Sequence, residues 1–380
     1  MNKTDISAKQ MEATVALYLI GSSLVSSGFT RAKQDTWFCV LAAMLLTIPM
    51  VWVHSRILEL YPGQNYFQNI LCAMGRPAGL VVCVLIFLYI LDNAALVLRI
   101  FAEFIHIVNM TETPLIAIMV CISVVLVYVL SNRLYVLARI SKFVFPFLIC
   151  TVLLTIVLSY RDMDLNNLKP ILHSKPADLA SGTLLSFSLP YCEIIVCAPM
   201  FGDLNRNVSI FKTFFKGLLF AFAVLFVANL RNTLVLGYSV GIYDFPSYEA
   251  VSVIKLGEFF TRMEVLIGIN LLLAGFIKSG VLLFSSCEAL TKVFGFEDYE
   301  PLVQPVSLLI LTVSVLIHKN TAEMYAWTDY FPYFSLPFQV ILPILVLVVG
   351  VIRKKAGKSK QAKEPAKEEK KSAPVHLREN

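Results

Sequence analysis

Residues Ser186 to Pro199 read SFSLPYCEIIVCAP. The stretch is apolar enough to lie in a bilayer, yet it carries two prolines and an ionisable side chain, Glu193. A proline inside a helix removes an amide donor and collides with the preceding turn, at a cost of roughly 3 kcal/mol. Pro190 is therefore expected to break or kink the helix, with Glu193 about one turn beyond. A carboxylate at membrane depth costs roughly 2.5 to 3.5 kcal/mol on insertion scales, so it needs a partner or a function. The combination predicts a discontinuous membrane helix lining a binding site.

The flanking sequence is that of a polytopic helical membrane protein. Of 380 residues 57% are hydrophobic and only 15% charged, with a mean hydropathy of +0.73, a composition that cannot cover a soluble domain with polar surface. A span needs about 20 predominantly apolar residues. Ten runs qualify, at approximately 11–30, 36–56, 78–102, 113–131, 138–159, 182–201, 213–240, 263–289, 302–318 and 333–352. The first lies behind a short polar leader with no small-residue cleavage pattern, which marks a span and not a removed signal peptide. The membrane domain is thus expected over 1–352, in halves of about 11–160 and 182–352, followed by a charged, low-complexity, disordered tail over 353–380.

With the N-terminus inside, the inner connections carry eleven Lys or Arg against eight outside, and the tail adds ten more inside. Both termini are therefore expected in the cytoplasm. LELYPGQNYFQNILCAMGRPAG, after the second span, is spaced like a short interfacial helix ended by Gly75 and Pro77. IYDFPSYEAVSVIKLGEFFTR, from Ile242 to Arg262, has a similar pattern.

Ten spans divide as five plus five, and transporters built from inverted repeats place broken helices at corresponding positions of the two halves. The counterpart of Pro190 in the first span is Gly21 to Gly28, GSSLVSSG. Its glycine and serine pairs mark either a second break or a tight helix crossing.

Polar residues inside the spans supply the rest of the candidate site. Asp92, Leu96, Arg99 and Glu103 follow i, i+4, i+7, i+11 and share one helical face. They read as a self-neutralising ion-pair ladder or as a relay facing the bundle interior. Asn270, Ala274, Lys278 and Ser285 also share a face, and a mid-membrane lysine demands a carboxylate or a cavity. Glu193 and Asp92 are its candidate partners. Arg231, nearer a membrane surface, is expected to snorkel.

No enzyme constellation is present, so catalysis is not expected. The eight cysteines contain no CxxC pair, the five histidines are scattered, and no phosphate-binding glycine loop occurs. Neither a metal site nor another cofactor is indicated. The one basic cluster, in the tail, is interrupted by acids, which argues against nucleic acid and fits an anionic bilayer surface.

Several stretches resemble one known family. ISAKQMEATVALYLIGSSLVSSGFTRAKQDTW (Ile6 to Trp37), DLNNLKPIL (Asp164 to Leu172), SFSLPYCEIIV (Ser186 to Val196), FPSY (Phe245 to Tyr248), FFTRMEVL (Phe259 to Leu266) and FIKSGVLLF (Phe276 to Phe284) are similar, in order, to the endospore germination permeases, the B subunits of nutrient germinant receptors. The likeness covers nearly all of the chain except the tail. It departs from the usual pattern at Cys192, where glycine commonly precedes the glutamate. The resemblance implies an all-α APC-superfamily membrane protein of the LeuT type, with ten helices of which the first and sixth are discontinuous. It further implies residence in the spore inner membrane, assembly with a receptor A subunit and a lipoprotein C subunit, and sensing of a small nutrient, often an amino acid.

For an amino-acid ligand, free amides around Gly21, Ser22 and Ser23 at a half-helix N-terminus would hold the carboxylate. Carbonyls near Phe187 and Ser188, with Glu193, would hold the ammonium group, and Tyr191 would flank the side chain. Lys278, Asp92, Arg99 and Glu103 would serve coupling or ion pairing. Two other expectations share this fold: a proton- or sodium-coupled amino-acid or amine transporter, and a structural scaffold for the A subunit.

Overall fold

A computed structural model describes residues 6–21, 23, 32–108, 110–205, 208–243, 245–252 and 264–371. They are almost wholly helical. In order, the α-helices are α1 (Ala8–Ile20), α2 (Thr36–Leu60), α3 (Tyr66–Met74), α4 (Arg76–Val108), α5 (Leu115–Ser131), α6 (Leu134–Ser159), α7 (Pro176–Ser188), α8 (Ile210–Leu236), α9 (Pro246–Ser252), α10 (Glu264–Phe294), α11 (Glu300–Leu316), α12 (Thr321–Thr328), α13 (Phe331–Leu336) and α14 (Leu342–Lys371).

Seven helical segments among the described residues are long and apolar enough to cross a membrane, or eight if α11 and α12, bent by 104° at their junction, form one span. This is a multi-pass membrane protein. The ten-span expectation is met only in part by length. The helix α5 is apolar but has 17 residues, and α1 is described for 13, with the continuation of the first predicted span over 24–30 outside the described residues.

The helices pack in two groups. In one, α2 lies against α7 and α8, and α1 against α8. In the other, α4 packs along α10, and α11 lies against α4, α5 and α10. The helix α1 also touches α10, joining the groups at the centre. One continuous apolar core runs through both.

The short helix after the second span is present as α3. Asn65 caps it in a reciprocal pair with Gln68, and Gly75 ends it at φ +82°, a left-handed conformation that glycine adopts without steric cost. Pro77 does not end α3 as expected. It lies in the first turn of α4, where its missing N–H would have had no intrahelical partner. Of the second amphipathic stretch, Pro246–Ser252 is helical, while residues 253–263 lie outside the described residues.

Backbone helix continues through α14 to Lys371, beyond Ile352, where a disordered tail was expected. Alanine, lysine and glutamate, frequent there, are strong helix formers. The start of the described chain and the middle of α14 both lie beside the α2–α3 connection. Ile6 forms a parallel bridge with Leu204 and lines one recess together with Asn65, and Lys354 Nζ donates to the carbonyl of Leu60.

Candidate functional site

The predicted break in the sixth span lies where the proline placed it. The helix α7 stops at Ser188, Leu189 is extended (φ −138°, ψ 108°), and the chain resumes at Tyr191 as a tighter 3-10 helix reaching Asp203. Nearly every side chain from Tyr191 to Phe201 is buried. The first span has its own terminus opposite. The helix α1 ends at Ile20, and the Gly21 N–H closes it on the Leu17 carbonyl at 2.9 Å.

Lys278 of α10 lies between these ends. Its Nζ donates to Glu193 Oε2 at 2.5 Å, and both side chains are essentially inaccessible. The same ammonium is 5.1 Å from the centroid of the Tyr18 ring. A Cβ added to Gly21 would lie 2.9 Å from both Cβ and Cδ of Lys278, so the bare backbone of Gly21 admits the lysine stem. A cation at the C-terminal end of α1 is also favoured by the helix dipole. The second carboxylate oxygen, Glu193 Oε1, accepts from Asn93 Nδ2 of α4 at 2.8 Å. One buried charge pair thus ties α1, the 3-10 segment, α4 and α10 together.

The surrounding polar groups reinforce the break. Gln339 Nε2, from the π-helical turn Pro337–Ile341, donates to the Ser188 carbonyl and to the Tyr89 hydroxyl, each at 2.8 Å. Ser285 Oγ donates to the Val196 carbonyl at 2.6 Å. A backbone carbonyl freed by a helix break in an apolar setting must find a donor, and Gln339 supplies it at Ser188.

The structure brings Gly21, Glu193 and Lys278 together, but not in the roles expected of them. The Gly21 amide is not a free anion donor, because it belongs to the last turn of α1. Ser22 lies outside the described residues. The Ser188 carbonyl is occupied by Gln339. Ser23 and Tyr191 border a cavity of about 20 Å³ shared with Ser186, Leu189, Pro190 and Asn229. Their hydroxyl oxygens are buried without hydrogen-bond partners among the described residues. Phe187 is buried one position before the break. The cavity holds about one water, so this is a closed arrangement.

The charges of α4 separate into two places. Arg99 Nε donates to Glu103 Oε1 at 3.3 Å, so the ladder holds there. Arg99 Nη1 also donates to the carbonyls of Ser314 at 3.3 Å and His318 at 2.5 Å, and Glu103 Oε2 accepts from Thr321 Oγ1 at 2.6 Å. This pair therefore clamps the junction of α11 and α12. Asp92 is not the partner of Lys278. It lines a separate cavity, because its side chain is turned about 100° along α4 from that of Asn93.

Arg231 does not snorkel. It is 1% exposed, and its guanidinium donates to Asn232 Oδ1, Thr155 Oγ1 and the Ser247 carbonyl. Sequence reasoning passed over Asn93, Tyr89 and Gln339 as site residues. The available signal was a carboxamide within an apolar run, since such groups are costly in a bilayer unless bonded.

Comparisons with known proteins bear on the family and the fold. The family described as "Spore germination protein" matches residues 5–323. Spore germination protein KB of Bacillus subtilis (strain 168) is 25% identical over 373 residues, covering 97% of this chain and 100% of that one. Putative spore germination protein YfkT of the same strain is 24% identical, covering 84% and 87%. Among solved structures, the nucleobase-cation-symport-1 family transporter Mhp1, closed with bromovinylhydantoin bound, superposes with a TM-score of 0.68 at 12% identity, covering 89% of this chain and 77% of that one. MhsT in complex with L-phenylalanine gives 0.65 at 12% identity, covering 89% and 87%. At such identities the likeness is one of fold. With the family match spanning most of its length, the chain belongs to the spore germination protein family.

Proposed function

We propose that this chain is the membrane subunit of a spore nutrient germinant receptor. It binds a small nutrient, best an amino acid, where α1 and the broken sixth span meet, and passes the resulting change of shape to an A subunit and a lipoprotein C subunit. The observation that carries this reading is the Glu193–Lys278 pair seated between two helix ends. It places opposite charges at interrupted helices, where transporters built from inverted repeats hold their ligands, and the Gly21 amide and Ser188 carbonyl, engaged in this closed arrangement, become available only on opening. The closed cavity of about 20 Å³ is too small for an amino acid. Binding therefore accompanies opening, and a ligand that prefers the opened state shifts the population toward it.

The same reading takes the chain as ten spans in a five-plus-five inverted repeat. Pairing α1 with α7, α2 with α8, α4 with α10 and α5 with α11 makes each packing group draw equally on both halves. The protein would reside in the spore inner membrane with both termini cytoplasmic, and it would act without catalysing a reaction. The test is germination of spores lacking this chain against a panel of amino acids, nucleosides and sugars. Loss of response to one nutrient class, restored by the wild-type gene, supports the reading. An unchanged response to every nutrient would refute it.

A coupled transporter is the second reading, favoured by the fold shared with Mhp1. Gradient-driven nutrient uptake by the purified chain in vesicles would select it over a pure sensor.

A further inference from the structure

A cavity of about 410 Å³ lies beside the middle of α4, under the bent junction of α11 and α12. It is at the opposite end of α11 from Glu300, which borders the recess near Ile6. Asp92, His318, Glu323, Trp327 and Tyr330 line it, and its size suits a small ligand. The site at the helix break uses none of these residues.

The lining has one sign of charge. Asp92 and Glu323 are carboxylates, and among the described residues no lysine or arginine lines the cavity. The nearby Arg99 is engaged by Glu103 and by two carbonyls, one of them that of His318. Glu103 offsets its charge, leaving the carboxylates to set the local field. Asp92 Oδ2 is buried with no hydrogen-bond partner among the described residues, an arrangement that costs free energy unless something occupies the space beside it. His318 is only 6% exposed, and its Nε2 also lacks a partner, as does Trp327 Nε1.

A belt of tryptophan and tyrosine at the membrane surface would account for the two rings. It would not account for an unsatisfied aspartate and a buried histidine facing the same space. Carboxylates beside aromatic faces are instead the recognition chemistry of an ammonium group, which ring quadrupoles attract and which carboxylates neutralise.

The cavity also connects physically to the broken helix. Asp92 precedes Asn93, the donor to Glu193. Trp327 packs on Phe334 at 5.7 Å, Phe334 on Phe338 at 5.4 Å, and Phe338 stacks on Tyr89 at 5.3 Å. Tyr89 shares Gln339 with the Ser188 carbonyl.

We propose that this cavity is a second binding site, distinct from the helix break, for the ammonium group of a small organic cation. Asp92 and Glu323 supply the charge, and Trp327 and Tyr330 supply the ring faces. The ammonium group belongs either to a free solute or to an aminophospholipid headgroup at the membrane surface. The site stands whether or not the nutrient reading of the helix break holds.

The test uses the full-length protein in nanodiscs of phosphatidylglycerol, which has no ammonium headgroup. The chain contains 3 tryptophans, so Trp37→Phe with Trp52→Phe leaves Trp327 as the fluorescent reporter. Choline chloride is titrated against sodium chloride at equal ionic strength, and against dimethylbutanol, the uncharged carbon isostere of choline. The expected result is a saturable change with choline alone, weakened roughly tenfold by Asp92→Asn and less by Glu323→Gln. Should Asp92→Asn fail to fold, Glu323→Gln and Tyr330→Leu must each weaken the response. Replacing part of the lipid with phosphatidylethanolamine separates the sources: a lower apparent choline affinity assigns the site to the headgroup, and an unchanged affinity assigns it to the solute. The proposal is overturned by no saturable change, by an equal response to dimethylbutanol, or by a response lost in Glu193→Gln but kept in Asp92→Asn.

Discussion

Two buried ion pairs lie on or beside α4, and they do different work. Arg99 and Glu103 are one helical turn apart, 3.3 Å between atoms, and the guanidinium shares its donors with two carbonyls at the end of α11. Glu193 and Lys278 are 85 residues apart and meet at 2.5 Å with almost no exposure. The first pair exists wherever α4 exists, so it fastens a neighbouring junction to a helix that is already formed. The second exists only when the broken span, α1 and α10 come together. A pair assembled from distant segments reports their arrangement, and that is what a conformational sensor requires.

This contrast is easiest to break at Lys278. Lys278→Met leaves Glu193 buried with Asn93 as its one side-chain donor among the described residues, and uncompensated charge of this kind costs about 3 to 5 kcal/mol. A large drop in melting temperature of the purified protein is expected, and Glu193→Gln combined with Lys278→Met should recover much of it. If the double variant is no better than the single, the pair is not what links the segments.

Arg99→Met should cost less, about 1 to 3 kcal/mol, because Glu103 keeps the Thr321 hydroxyl and α4 does not depend on the pair. Limited proteolysis should show the loss around 317–321, and a loss spread over the whole bundle would erase the distinction. Gly21→Ala sets a methyl group against the Lys278 stem. The methyl group would lie 2.9 Å from Lys278 Cβ, an atom fixed to the α10 backbone, so the two helices must shift apart, and overpacking of this kind costs about 1 to 3 kcal/mol. The nutrient concentration for half-maximal germination should shift at normal protein level, whereas an unchanged dose response would remove Gly21 from the site.

Glu59→Gln offers the smallest effect. Its partner Arg56 is exposed at the surface, where such pairs contribute little, so neither melting temperature nor germination should change measurably. A clear change in germination alone would mean that this surface is covered by another molecule in the spore.

The candidate site was half legible in the sequence. Pro190 could be read as a break because a missing amide acts locally, and Glu193 and Lys278 stood out because ionisable groups are costly in apolar runs. Their pairing was one of two options, since Asp92 was as good a candidate by spacing. Helical phase decided it: Asn93, one residue on, faces Glu193, while Asp92 faces the other cavity. Gln339 and Tyr89 could not be placed, because nothing near them in the chain indicates that a carbonyl freed at Ser188 will need a donor.

By itself the sequence determined that this protein lives in a membrane, where most of its long apolar helices lie, and that the stretch around Pro190 is interrupted. These follow from hydrophobicity and backbone covalency, which act within a few residues. Only the tertiary structure decided which carboxylate holds Lys278, that Arg231 is enclosed, and that Asp92 faces a cavity of its own. Those outcomes depend on the rotation and contact of helices far apart in the chain, which residue order does not encode locally.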